Sequence, residues 1–180
     1  MSELFSIQLQ NRQQQGRDGV WLDLPTTTEQ VQAALRQIGI SSDNPQGLFI
    51  SGYFAEEEKR FAIPYNMVLA SNVDELNFLA SRLETLSTGE RAELNAALQA
   101  PQSELFSIGR ITDFPENVEY YVHLPDVRGP AQLGDYYLNR SGMVDMPDEW
   151  KGGIDTAQFG RYVAQQEQGA FTQYGYLIKS

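Results

Sequence analysis

Two short stretches near the start of the chain alternate apolar and polar residues. They are Leu4–Leu9 (LFSIQL) and Val20–Leu24 (VWLDL), and Pro25 ends the second one. Alternation with a period of two is typical of a strand with one buried face. A threonine at 26–28 then provides a cap for a helix with apolar residues every three to four positions, and Leu48–Phe54 has the pattern of a further strand. The first part of the chain is therefore predicted to be a β-β-α-β module.

The middle of the chain has the pattern of two helices. Apolar residues recur at helical spacing after Asn72 and again after Ser87, and both residues are good N-caps. We therefore predict a helical hairpin over Asn72–Ala100. Its outer face carries carboxylates against only Arg82 and Arg91. These carboxylates are Asp74, Glu75, Glu84, Glu90 and Glu93.

Two segments in the second half of the chain resemble two segments near its beginning. SELFSI at Ser2–Ile7 recurs at Ser103–Ile108, and WLDLP at Trp21–Pro25 is echoed by YVHLP at Tyr121–Pro125. The two echoes have nearly the same offset, which favours an internal duplication over chance. We therefore expect an α+β fold in which two related α/β modules flank a helical connector. A last strand is predicted at Ala170–Ile178.

The segment Tyr136–Val163 displays carboxylates without an obvious reaction centre. It is turn-rich around Pro147, and Asp155 is expected to cap a helix that runs through Phe159. Its carboxylates are Asp145, Asp148, Glu149 and Asp155, with Asp135 just before it. Its aromatic residues are Tyr136, Tyr137, Trp150, Phe159 and Tyr162. Such a segment suggests a protein that works through its surface.

The bulk composition sets the class of protein. A chain of 180 residues with 41% hydrophobic residues has enough apolar material for one large domain or two to three small ones. It contains no cysteine, which excludes disulfides and thiolate metal sites. It has neither a run of about 18 apolar residues nor the pattern of a signal peptide. A cytoplasmic protein is the simplest expectation.

The charge balance narrows the choice of partner. Twenty-four acidic residues stand against 13 basic ones, a formal net charge of -11. Direct binding to nucleic acid or to an anionic membrane needs a surplus of Lys and Arg, so both are disfavoured. The balance permits a basic partner, although acidity also serves solubility alone.

Catalytic constellations are weak in this sequence. The single histidine, His123, lies in a predicted strand without a partner at metal-ligand spacing. Asp148 and Glu149 could imitate a paired-carboxylate site, but adjacent acids also occur at Glu56–Glu58. An enzyme would need Asp148, Glu149 and His123 to converge in one pocket. We therefore expect no enzyme activity, no cofactor and no metal site.

A carboxylate can also stand where a DNA phosphate would. A compact domain of this size is on the order of 40 Å across, and duplex DNA of that length carries about 24 phosphates. The acidic residues match this number, although the net charge is about half of it. The candidate phosphate-mimicking carboxylates are Asp74, Glu75, Glu84, Glu90, Glu93, Asp135, Asp145, Asp148, Glu149 and Asp155.

An ordered set of short motifs resembles the ArdA family of antirestriction proteins. The set begins with the G-x-W-x-x-L-P run at Gly19–Pro25 and continues at Leu48–Tyr53 and at Asn72–Leu83. It ends in Tyr136–Arg161, with Tyr136-Tyr137-Leu138, Ser141-Gly142, Pro147, Ile154-Asp155 and Phe159-Gly160-Arg161. The resemblance spans nearly the whole chain in family order.

The resemblance implies an elongated, dimeric DNA mimic that occupies the DNA-binding groove of type I restriction-modification enzymes. It divides the chain into an N-terminal module (1–61), an acidic helical middle domain (62–102) and a C-terminal α/β module (103–180). It also implies dimer contacts or structural roles in Tyr136–Arg161, for which the candidates are Tyr136, Tyr137, Trp150, Phe159 and Arg161. The alternative is an acidic interaction protein with the same fold that binds another basic DNA-binding partner.

Overall fold

The structure of the chain, a computed structural model, describes residues 3–14, 16, 18–41, 43, 45–101 and 103–179, apart from the side chain of Glu119. This part of the chain forms two three-stranded antiparallel sheets and a set of helices, so the predicted α+β class is confirmed. The strands are β1 (Phe5–Asn11), β2 (Val20–Leu24), β3 (Leu48–Phe54), β4 (Tyr121–Leu124), β5 (Ala170–Thr172) and β6 (Gly175–Lys179). The α-helices are α1 (Thr28–Gln37), α2 (Tyr65–Leu69), α3 (Val73–Leu83), α4 (Thr88–Gln99), α5 (Ile108–Asp113), α6 (Pro130–Asp135), α7 (Asp148–Lys151) and α8 (Thr156–Glu167).

The chain divides into two compact units, each built from two stretches of sequence. Unit 1 comprises Met1–Leu86 and Leu105–Asp113, and unit 2 comprises Ser87–Glu104 and Phe114–Ser180. The helices of the predicted hairpin therefore form at the expected positions but belong to different units, α3 to unit 1 and α4 to unit 2. The division into three domains stays a prediction.

Unit 1 contains the predicted β-β-α-β module. Its sheet has the order β2-β1-β3, and β1 shows the strict alternation of buried and half-buried residues that its sequence predicts. Helix α3 packs its apolar stripe inward, with Val73, Leu76, Leu79, Ala80 and Leu83 all buried. The Asn77 side chain accepts a hydrogen bond from the Thr26 amide at 2.8 Å and donates one to the Thr26 carbonyl at 3.0 Å. This pair fixes α3 to the chain that leaves β2.

Unit 2 is built around a second sheet, in the order β4-β6-β5. Val127, Leu133 and Tyr176 form its buried cluster, against which residues of the Tyr136–Arg140 turn, α8 and the sheet pack. The predicted strand Ala170–Ile178 proves to be two strands joined by a tight turn. Gly175 adopts a φ of +120° there, which favours glycine and lets the chain reverse.

The internal repeat is wrong as a structural duplication. In the first SELFSI, Phe5–Ile7 belong to β1, whereas the second leads into α5 without forming a strand. The residues after each copy explain the difference. The first copy continues its alternation through Asn11, whereas after the second copy Ile111 extends the spacing of buried Leu105 and Ile108 into a helical pattern. Only the WLDLP echo has a counterpart, since β2 and β4 are both edge strands followed by proline.

None of the helices in the described part of the chain has the length and hydropathy that crossing a membrane requires.

Candidate functional surface

All ten candidate carboxylates lie in the described part of the chain, and eight of them are exposed. Glu75 and Glu93 are half-buried. The exposed candidates are Asp74, Glu84, Glu90, Asp135, Asp145, Asp148, Glu149 and Asp155. The fold therefore leaves most of this charge accessible to a basic partner.

Several of these carboxylates also form hydrogen bonds at the N-terminus of a helix. Asn72 caps α3, and the Ser71 hydroxyl donates to Glu75 at 2.8 Å. Ser87 and Glu90 form a reciprocal capping box at the start of α4, where the Glu90 carboxylate accepts from the Ser87 amide at 2.9 Å. Asp155 caps α8 by accepting from the amides of Ala157 and Gln158. Capping fixes the position of these charges relative to the backbone.

Two other carboxylates are paired with nearby cations. Asp148 lies 3.4 Å from Lys151 within α7, and Asp135 lies 3.9 Å from Arg140 while accepting a hydrogen bond from Asn139. Exposed pairs of this kind contribute little to stability. They lower the local negative field, so Asp135 and Asp148 present less net charge than an unpaired carboxylate.

Glu93 differs from the other candidates because the fold partly buries it. Burial, reinforced by the charge of Glu90 one turn earlier in α4, raises the pKa of Glu93 from 4.5 to about 7. At pH 7 a DNA phosphate is fully ionised, whereas Glu93 is divided between its charged and neutral forms. In its charge at pH 7, Glu93 therefore resembles a phosphate less closely than a fully ionised carboxylate does.

The segment Tyr136–Val163 is held in place by a close crossing of α6 and α8. A Cβ atom on Gly160 would lie 1.7 Å from the Pro130 carbonyl oxygen, and one on Gly134 would lie 1.9 Å from the Thr156 carbonyl oxygen. Neither position has room for a side chain. The Gly160 of the Phe159-Gly160-Arg161 motif thus serves helix packing.

A second clamp joins α8 to its neighbours through one carboxylate. Glu167 accepts hydrogen bonds from the hydroxyls of Tyr137 and Tyr176, the latter at 2.7 Å. Burial and then the contact with Glu167 raise the pKa of both tyrosines. Sequence reasoning singled out Tyr137 but missed Glu167 and Tyr176, because residues 30 and nine positions apart give no local signal of contact.

The aromatic candidates divide between packed and exposed. Tyr136 and Tyr137 pack edge to face with ring centroids 5.3 Å apart, in a π-helical turn, Tyr136–Arg140, that continues α6. Phe159 is half-buried, and Arg161 is exposed. Trp150 is 67% exposed, so it does not anchor the segment within this chain.

The three residues of the enzyme hypothesis have different surroundings. Asp148 and Glu149 begin α7 and are exposed, whereas His123 lies half-buried in β4 with its Nε2 atom 2.8 Å from the Tyr174 carbonyl oxygen. Across the described residues, no group of three or more His, Asp or Glu side chains has the arrangement of a metal site. The surroundings of His123 indicate a structural contact between β4 and the β5–β6 turn.

Comparison with known proteins identifies the family. A search of curated proteins gave no match. The family model described as Antirestriction protein (ArdA) matches residues 15–178 of the 180-residue chain. This match confirms the resemblance seen in the ordered motifs, and the chain therefore belongs to the ArdA family of antirestriction proteins.

Proposed function

We propose that this antirestriction protein acts as a DNA mimic that occupies the DNA-binding groove of type I restriction-modification enzymes. The observation that carries the proposal is the exposure of eight of the ten candidate carboxylates, all within the described residues. Lys and Arg side chains that normally contact phosphates would contact these carboxylates instead. Binding then requires no cofactor and no chemical step.

The charge is divided almost evenly between the two compact units. Unit 1 carries 12 acidic and seven basic residues, and unit 2 carries 12 and six. Several cations are held by local contacts, such as Arg110 over the ring of Phe106 at 4.2 Å and Arg12 over Phe49 at 4.8 Å. Both units therefore offer a partner more acid than base.

We propose in addition that the protein works as a homodimer. Met143, Trp150 and Tyr162 are large apolar side chains of unit 2 that are each at least 60% exposed. Exposed apolar groups in one segment are typical of an interaction site. The expected result of Trp150→Ser is a weaker dimer in sedimentation experiments, and an unchanged dimer would exclude Trp150 from the interface.

The test of the mimic is a competition experiment. A fluorescent duplex with the recognition sequence is bound to a type I methyltransferase, and the protein is titrated in. We expect displacement of the duplex, with an inhibitory concentration that rises in proportion to the DNA concentration. Binding to the enzyme without displacement of DNA would overturn the proposal.

A matched pair of variants tests the surface itself. The triple variant Asp145→Asn, Asp148→Asn, Glu149→Gln removes three charges from the candidate set. The control variant Glu56→Gln, Glu57→Gln, Glu58→Gln removes three negative charges from an exposed turn outside the candidate set. The first is expected to weaken competition more than the second, and equal effects would contradict the assignment.

The alternative, an acidic protein that binds another basic DNA-binding partner, uses the same surface. The same competition experiment separates the two. A protein that leaves duplex bound to the methyltransferase but displaces it from a different DNA-binding protein would favour this alternative.

A further inference from the structure

Unit 2 contains a cavity of about 610 Å³ between the ends of two helices and one face of its sheet. Ala97 near the end of α4, Glu167 at the end of α8 and Gln168 just after α8 line it. Leu177 of β6 and Ala164 of α8 also contribute. This volume lies within the range of pockets that hold small organic groups.

The electrostatics of the cavity favour a cation. Both α4 and α8 are 12 residues long, and their carboxyl ends meet there. The last carbonyl groups of a helix have no partner within the helix, and together they act as about half a negative charge. Glu104 and Glu167 add negative charge to the lining, although both oxygens of Glu167 already accept hydrogen bonds from Tyr137 and Tyr176. Among the described lining residues, Lys179 is the one cation.

The cavity already holds one ammonium group of the chain itself. The Nζ atom of Lys179 lies 2.5 Å from a carboxylate oxygen of Glu104, and both side chains are about half exposed. This ion pair shows that a cationic head fits against this wall. Because the Lys179–Glu104 ion pair is open to solvent, a cationic ligand that binds Glu104 more tightly than Lys179 does can displace the ammonium group.

The rest of the lining suits the stem of a long basic side chain. Ala97, Ala164 and Leu177 provide apolar surface for methylene groups, while the Glu104 carboxylate and the polar side chain of Gln168 lie in the same lining and can accept hydrogen bonds from the head. A guanidinium group has five donors in a planar fork and is more weakly hydrated than an ammonium group. Arginine therefore fits this combination better than lysine.

We propose that this cavity receives an arginine side chain of the target restriction-modification enzyme. The proposal rests on the function proposed above, and it adds a specific anchor to a surface that otherwise acts through dispersed charge. It also gives Glu104, which was outside the candidate set, a role in recognition.

The direct test uses N-acetylarginine methylamide as the probe, followed by NMR on the full chain. We expect saturable shifts at Ala97, Ala164 and Leu177, with weaker shifts from the matched lysine amide. Glu104→Lys should abolish the shifts, whereas Asp126→Lys, an equal change of charge on an exposed turn of the same unit, should preserve them. Lys179→Met removes the competing ammonium group and should tighten probe binding about two- to fivefold.

The outcomes separate this inference from the proposed function. Absence of probe shifts, or shifts that survive Glu104→Lys in a folded protein, would overturn the cavity assignment whatever the DNA competition shows. Equal losses of methyltransferase binding by Glu104→Lys and Asp126→Lys would overturn the assignment to the target's arginine. A wild-type protein that binds the probe but never displaces DNA would instead refute the proposed function.

Discussion

At the scale of single residues, the same carboxyl group does different work depending on its surroundings. Asp145 and Glu149 are exposed, Asp155 caps a helix, and Glu93 is partly buried with a raised pKa. All four are Asp or Glu, so the sequence alone does not distinguish between them. Their similarity to a phosphate group differs because burial and hydrogen bonding differ.

Glu93 should make stability depend on pH. Its folded pKa of about 7 lies above the unfolded value of 4.5, so the folded state binds the proton more tightly. The neutral form is the stable one, and stability is lost as the pH rises from 4.5 to 7. Glu93→Gln should therefore raise the denaturation midpoint at pH 8 and change it little at pH 4.5.

Asp126 is exposed, so Asp126→Asn is the matched control for the denaturation midpoints at pH 4.5 and pH 8. It should leave the midpoint nearly unchanged at both pH values. If Glu93→Gln shifted the denaturation midpoint equally at pH 4.5 and pH 8, the raised pKa of partly buried Glu93 would not be the cause of the shift.

Asp155 allows its two roles to be separated. Asn is as good an N-cap as Asp, so Asp155→Asn keeps the cap of α8 and removes the charge, whereas Asp155→Ala removes both. We expect Ala to destabilise the protein by about 1 kcal/mol and Asn to leave the unfolding free energy nearly unchanged. In the DNA competition experiment the two variants should be equally affected, measured well below their unfolding midpoints. A loss confined to Ala would show that Asp155 matters only as a cap.

At the scale of elements, the crossing of α6 and α8 organises unit 2. Two glycines, Gly134 and Gly160, allow the helix backbones to approach where any Cβ would overlap a carbonyl group. The Tyr137–Glu167–Tyr176 hydrogen bonds then tie the end of α8 to α6 and β6. The motif segment is therefore a packed scaffold that carries exposed carboxylates.

Gly160→Ala tests the crossing. The added Cβ would overlap the Pro130 carbonyl, so the helices must separate, with a loss of about 3 kcal/mol or more in unfolding free energy. Gly152→Ala is the control, since its Cβ would meet only the Glu149 oxygen at 3.9 Å, and a change within about 0.5 kcal/mol is expected. Chemical denaturation of both variants gives the comparison, and similar losses would contradict a close crossing.

At the scale of the whole molecule, the excess of acid is a property of both units. Neither carries more than its share of the net charge of -11. Binding through many dispersed carboxylates is long-ranged and screened by salt, with a Debye length of about 10 Å at 0.1 M. Single neutralised residues should then have small effects that accumulate.

The association rate with the methyltransferase should fall steeply as salt increases. Stopped-flow measurements between 50 and 500 mM salt are expected to show a drop in the association rate of at least about tenfold, with a smaller change in dissociation. Glu84→Gln alone should change the affinity less than about threefold. An affinity independent of salt would argue against recognition by dispersed charge.

The sequence by itself determined the local elements, the acidic balance and the family. The periodicity at Val73–Leu83, the cap at Ser87 and the proline after Val20–Leu24 each act within a few residues, so these three elements formed where expected. The ordered motifs, likewise readable in one dimension, agree with the family match over residues 15–178.

Only the tertiary structure decided what each element packs against. Identical SELFSI hexapeptides became a strand and the approach to a helix because different residues follow them and different partners cover them. The assignment of α3 and α4 to separate units, the clamp at Glu167 and the raised pKa of Glu93 depend in the same way on residues distant in sequence. Burial and long-range contact are properties of the folded chain, and periodicity along a sequence does not encode them.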